Sequence, residues 1–121
     1  MKQFKTIEKK WDEAEKIRKQ IYKSVLKWLT EQAEARGGEI AIHEYDEDGI
    51  QTDDRCYTVS YDGGNHPEYA SNMFSEVDRV FVQDGKLYLE IEDDPEYSID
   101  RISWDDVYYL AEFININIVK Q

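Results

Sequence analysis

The dipeptide Asp84-Gly85 lies between two runs in which apolar residues alternate with polar or aromatic ones, 77–83 and 86–91. A two-residue type I′ turn needs φ > 0 at both central positions, and Asp-Gly is one of the few pairs that adopts it at low cost. The pair therefore predicts a β-hairpin and sets its register. Gln83 falls opposite Lys86, Val82 opposite Leu87, Phe81 opposite Tyr88, Val80 opposite Leu89 and Arg79 opposite Glu90. Side chains alternate along a strand, so Val80, Val82, Leu87, Leu89 and Ile91 share the core face and Phe81 pairs with Tyr88 on the other.

Upstream, residues 7–36 contain neither Gly nor Pro and read as one long helix. At 100° per residue, Trp11, Ala14, Ile17, Ile21, Val25, Trp28 and Leu29 fall within an arc of about 120°, the stripe expected to face a core. Lys2, Lys5, Lys9, Lys16, Lys23 and Lys27 form a column on the opposite side. Gly37-Gly38 supplies residues able to adopt φ > 0 and end the helix.

The remaining elements follow from pattern and punctuation. Residues 39–45 and 55–61 read as strands, separated by the acidic loop Asp46-Glu47-Asp48-Gly49; residues 62–76 read as loop. Residues 92–96 read as an acidic turn, followed by a short strand over 97–102. Ser103 with Asp105 and Asp106 forms a helix start, placing a helix over 104–114. Residues 114–118 alternate with period two and are compatible with a continued helix or a last strand. Strands with short connections imply antiparallel pairing. The expected fold is a single α+β domain over 1–121. It has a long N-terminal helix, a mostly antiparallel sheet of four or five strands and a C-terminal helix, arranged as a two-layer sandwich. The sheet face carrying Phe81 and Tyr88 is left without an obvious cover.

Charge is divided unevenly along this framework. Residues 1–36 hold ten Lys/Arg against six Asp/Glu; residues 37–121 hold five against twenty-one, for a total of −12. A strongly acidic body repels nucleic acid and anionic lipid, so direct binding to either is not expected. The lysine column does not alter this expectation, because bidentate phosphate recognition favours arginine. One cysteine, Cys56, precludes an intramolecular disulfide. No apolar run approaches the roughly 18 residues of a membrane span, and the expected location is the cytoplasm.

No constellation of catalytic residues emerges. Seven adjacent acidic pairs are what chance placement of 27 acids among 121 positions produces. Residues 44–49 match the opening of an EF-hand loop with Gly49 at the sharp turn, but Arg55 occupies the place of the bidentate glutamate and the flanks are strands. His43, Cys56 and His66 lack metal-ligand spacing. Ser71 near His66 makes no triad, and no phosphate-cradling glycine motif is present. No metal or other cofactor is expected.

What stands out is tyrosine and carboxylate together, a combination suited to a basic protein surface. The expected function is non-enzymatic binding of a basic macromolecule, as an inhibitor, an immunity-type protein or a nucleic-acid mimic. Its candidate contacts are Asp46, Glu47, Asp48, Asp53 and Asp54 in one cluster, Glu92, Asp93, Asp94 and Glu96 in another, and Phe81 with Tyr88 if their face is open. A self-assembling structural protein, forming homo-oligomers through that face or through the basic helix, is the alternative. A divalent-metal-dependent enzyme is the third possibility.

Overall fold

The computed structural model of the chain describes residues 2–61, 73–92 and 94–120. A long helix α1 (Lys2–Glu34) leads into five strands, β1 (Glu39–Ala41), β2 (Thr58–Tyr61), β3 (Met73–Gln83), β4 (Lys86–Ile91) and β5 (Asp94–Ser98). A 3₁₀ turn (Ile99–Arg101), a second helix α2 (Trp104–Ile114) and a π-helical turn (Asn115–Val119) complete the chain. This is the expected α+β arrangement, with an open antiparallel sheet.

The helix ends are built as the sequence indicates. Gly37 (φ 80°) and Gly38 (φ 103°) close α1 in a Schellman motif, with Gly38 N–H donating to Ala33 C=O at 2.8 Å and Gly37 N–H to Glu34 C=O at 3.3 Å. Gly38 C=O in turn accepts from Val82 N–H at 2.9 Å, which ties the helix end to the sheet. A Cβ at Gly37 would meet nothing within 4 Å. Gly37→Ala is therefore expected to cost about 1 kcal/mol in chemical denaturation, all of it backbone strain at positive φ. At α2, the Ser103 side chain accepts from Asp106 N–H at 3.1 Å, and Asp105 and Asp106 lie in the positively polarised first turn.

The hairpin has the expected register, Gln83↔Lys86 through Arg79↔Glu90, with Asp84 and Gly85 both at positive φ. β3 is the organising strand. β4 lies along one edge of it, and β5 beyond β4. On its other edge β1 pairs with residues 79–81 and β2 with residues 73–76, so two short strands share one side of a long one. Ile42 N–H to Asp78 C=O (3.0 Å) and Val77 N–H to Tyr57 C=O (2.8 Å) continue this pairing at the gap, where the chain leaves the sheet as a loop over 43–57. A bulge at 77–79 in the β3–β4 ladder lies level with that gap, on the other side of β3.

Several boundaries differ from the sequence reading: β1 stops at Ala41 short of residue 45, β2 starts at Thr58 and not at residue 55, and residues 99–101, expected within a strand over 97–102, form a 3₁₀ turn. Residues 73–76, expected as loop, belong to β3, because β2 supplies an edge that local composition does not reveal. Residues 94–96, expected as an acidic turn, belong to β5; as an edge strand it tolerates Pro95, which has no N–H to donate. The alternating tail resolves to the helical alternative, α2 continuing directly into a π-helical turn over Asn115–Val119 with no last strand among the described residues.

Val77, Val80, Leu87, Leu89 and Ile91 from the sheet pack with Leu29 and Ala33 of α1 and with Val107, Leu110 and Ile114 of α2. Tyr97 and Ile40 are buried in the same cluster. Of the stripe expected to face this core, only the C-terminal part reaches it. Residues 3–21 of α1 are exposed throughout, including Trp11, Ile17 and Ile21. At 1.5 Å per residue α1 is roughly 50 Å long, well beyond the width of a small domain, so its N-terminal half overhangs.

Candidate interaction surfaces

The loop over 43–57 is organised by two aspartates. Asp46 Oδ1 accepts from the N–H groups of Asp48 and Ile50, each at 2.9 Å, and Gly49 takes φ 78° at the turn. Asp53, half-buried, accepts from the backbone N–H of Glu44 and of Arg55 (2.9 Å), from Gln51 Nε2 (3.0 Å) and from Arg55 Nη2 (3.2 Å). Burial is the largest single influence on this carboxyl and opposes ionisation. The four hydrogen bonds together outweigh it and hold the group well below the usual carboxylate range. Arg55 also donates to Asn117 C=O at 3.2 Å, anchoring the loop to the C-terminal π-helical turn.

Beneath the loop His43 is 3% exposed. Glu76 Oε1 lies 2.8 Å from its Nε2, and Asp53 and Asp78 carboxylates lie 3.8 Å from its two ring nitrogens. The Glu76 approach is short but off the N–H direction, so neither nitrogen has an aligned hydrogen bond and the contact is electrostatic. Burial, then the neighbouring Glu90, Glu76 and Glu92, push the Asp78 carboxyl up, and His43 opposes them. Cys56 is on the exposed side of this cluster. Desolvation and the Glu76 carboxylate push its thiol up, which lowers the share present as thiolate. Among the described residues no three His, Cys, Asp or Glu are grouped so as to hold a metal ion. His66 and Ser71 lie outside the described residues.

The sequence-selected contacts are therefore not equivalent. Asp46 and Asp53 are occupied with their own loop, while Glu47, Asp48 and Asp54 are exposed. In the second cluster Glu92 and Glu96 are exposed, and Asp94 Oδ1 accepts from Glu96 N–H at 3.0 Å. Asp93 lies outside the described residues. The loop cluster sits beside the β1/β2 side of β3, and the other at the β4–β5 connection on the far side of the same strand, where Glu92 N–H donates to Ser75 Oγ at 3.2 Å; the two clusters flank β3 and do not form one contiguous patch. Phe81 is 6% exposed and offers no anchor: it stacks on Tyr88 (5.6 Å between centroids), and the Arg79 guanidinium lies 4.3 Å from its ring centroid. Ion pairs of Arg79 with Glu90 (2.9 Å) and Glu39 hold that guanidinium in place, so the second sheet face is closed at its middle by its own side chains. Tyr88 remains half-exposed.

Among the described residues, the longest run of exposed apolar side chains on one element lies instead on α1. Trp11 is 68% exposed, and Phe4, Ile7, Ile17 and Ile21 are each about half or more exposed, all along one stripe. Such a patch is larger than the scattered apolar residues normal for a monomer surface. Contact between α1 and α2 begins near Arg18, which reaches Asp105 at 3.4 Å, and at Tyr22, stacked on Trp104 with centroids 4.9 Å apart. Along this junction the stripe runs into a groove of about 490 Å³ lined by Ile17, Ile21, Val25 and Trp28 of α1 and by Tyr108, Ala111 and Glu112 of α2.

Comparison with protein-family models, with curated proteins and with solved structures finds no match. No helix among the described residues is long and apolar enough to cross a membrane.

Sequence reasoning missed both the burial of His43 and the exposure of the stripe. The first depends on a loop folding back over a strand, which leaves no local signal. The second had a signal in length alone: an amphipathic helix longer than the domain is wide cannot bury its whole stripe against that domain.

Proposed function

We propose that this protein is a binding module that acts without chemistry of its own, and that its docking element is the apolar stripe of α1. The observation that carries the reading is the exposure of Phe4, Ile7, Trp11, Ile17 and Ile21 on one helix face. Leaving large aromatic and aliphatic side chains in water forgoes about 1.5–3 kcal/mol each, and a partner would recover that on docking. Aromatic anchors in such a patch are the residue types that dominate interface energetics. The groove beside α2 extends the same surface and supplies concavity.

A second reading keeps the basic partner, and with it inhibition or nucleic-acid mimicry. Its support is the internal bracing by Asp46 and Asp53, which presents Glu47, Asp48 and Asp54 outward on a structured loop. Charges held in place this way steer association with a basic surface and weaken with salt.

One experiment separates the two. The chain and its Phe4→Ser/Trp11→Ser variant serve as baits in host lysate at low and moderate salt. A partner retained in both salts by the parent and lost by the variant supports the stripe. A partner retained equally by both baits but lost in salt favours the acidic loop and overturns the stripe reading.

A further inference from the structure

We infer that the occupant of the α1 stripe is a second copy of this chain, docked antiparallel, so that each copy's N-terminal half fills the other's α1/α2 groove. The inference rests on the docking reading above and names its partner. Three observations carry it. The stripe repeats every seven residues: Phe4, Trp11 and Val25 form one column, and Ile7, Ile21 and Trp28 the other, which is the spacing of a helix-pairing seam. Antiparallel pairing about a twofold axis at the middle of the stripe joins one column to the other. It sets Ile7 on the partner's Val25 and Trp11 on the partner's Ile21. The one interruption, Arg18, then faces the small Ala14, beside the partner's Glu15.

Charge selects this orientation. Residues 2–21 carry seven Lys/Arg against four Asp/Glu, and α2, which walls the groove, carries Asp105, Asp106 and Glu112 and no basic residue. Antiparallel docking leaves the two acidic bodies at opposite ends, with the lysine column of each half-helix turned to solvent. Parallel docking would put both bodies side by side, with like charge facing like charge.

Area is the third support. The exposed side chains of Phe4, Ile7, Trp11, Ile17 and Ile21 leave on the order of 600 Å² in water per chain. Two copies together then reach the lower range of specific interfaces, about 1,200 Å² in total. The contact is isologous, closes at two copies and leaves no stripe open for further growth.

The full chain should sediment as a species of twice the 14.4 kDa chain mass at micromolar concentration. Trp11→Glu should weaken association by at least about 100-fold, because each dimer loses the contact twice. An unchanged far-ultraviolet circular dichroism spectrum and the packed signature of Trp104 would show that the variant still folds. Orientation is read in a Cys56→Ser background. Ile7→Cys together with Val25→Cys should give a disulfide-linked dimer on oxidation, whereas Ile7→Cys alone should not. Linkage through Ile7→Cys alone would mean parallel pairing and overturn the inference. A monomer at all concentrations would also overturn it. If that monomer sediments with vesicles of phosphatidylcholine and phosphatidylserine, the stripe binds a membrane surface. If it captures another protein in a Trp11-dependent way, the docking reading survives with a different partner. If neither occurs, both readings fall.

Discussion

Leu29→Ala is expected to lower unfolding stability by about 3 kcal/mol, a fall in Tm on the order of 10 °C, whereas Ile17→Ala twelve residues earlier leaves it within about 0.5 kcal/mol. Both positions are apolar, on one stripe of one helix, and separated by fewer than four turns. Leu29 is fully buried among sheet and α2 side chains, so truncation removes its transfer energy and leaves a cavity that the surrounding sheet cannot collapse into. Ile17 is 56% exposed; alanine there gains helix propensity over the β-branched residue and loses no core contact. The comparison is made by urea denaturation in dilute protein, where association contributes nothing to stability. Equal losses at the two positions would mean that α1 packs along its whole length and that no overhanging stripe exists.

How much of this molecule can be read from its residues depends on how local each determinant is. The Asp84-Gly85 hairpin, the Gly37-Gly38 stop and the Ser103 cap are each decided within a handful of residues by backbone geometry, and each appears where the sequence places it. The start of β3 at Met73 and the inclusion of Pro95 in β5 depend on which edges the sheet offers, a property of the assembled fold. The α1 stripe is an intermediate case. Periodicity identifies the apolar face of Trp11, Ile17 and Ile21 correctly, but what lies opposite that face is set by the size of the body, and the body ends near Arg18. The acidic loop shows the same division. Abundance of carboxylates predicts an exposed acidic surface, while the separate role of Asp53 comes from the particular N–H groups that converge on it.

That role makes Asp53→Asn the second large expected effect, one read in the behaviour of the loop and in pH dependence. The carboxylate gathers two backbone N–H groups and the side chains of Gln51 and Arg55, and Arg55 connects onward to Asn117. An amide offers one acceptor oxygen where the carboxylate offered two, and it turns an N–H₂ donor toward groups that are themselves donors. Cleavage of the 43–57 loop by an acidic-residue-specific protease should accelerate by roughly tenfold or more, because local opening controls access to its many Asp and Glu sites. The sign of the pH effect follows from the depressed folded-state value. A carboxyl ionising more readily in the fold than in the unfolded chain adds stability that is fully present above the unfolded value of about 3.9 and fades as pH falls toward the folded one. The Tm difference between parent and Asp53→Asn should therefore be largest near neutrality and shrink progressively below about pH 4. Asp54→Asn, exposed and one position away, should show neither the protease sensitivity nor the pH-dependent gap. A gap of constant size from pH 7 to pH 2.5 would show that Asp53 contributes through shape alone, and that its ionised form is not what braces the loop.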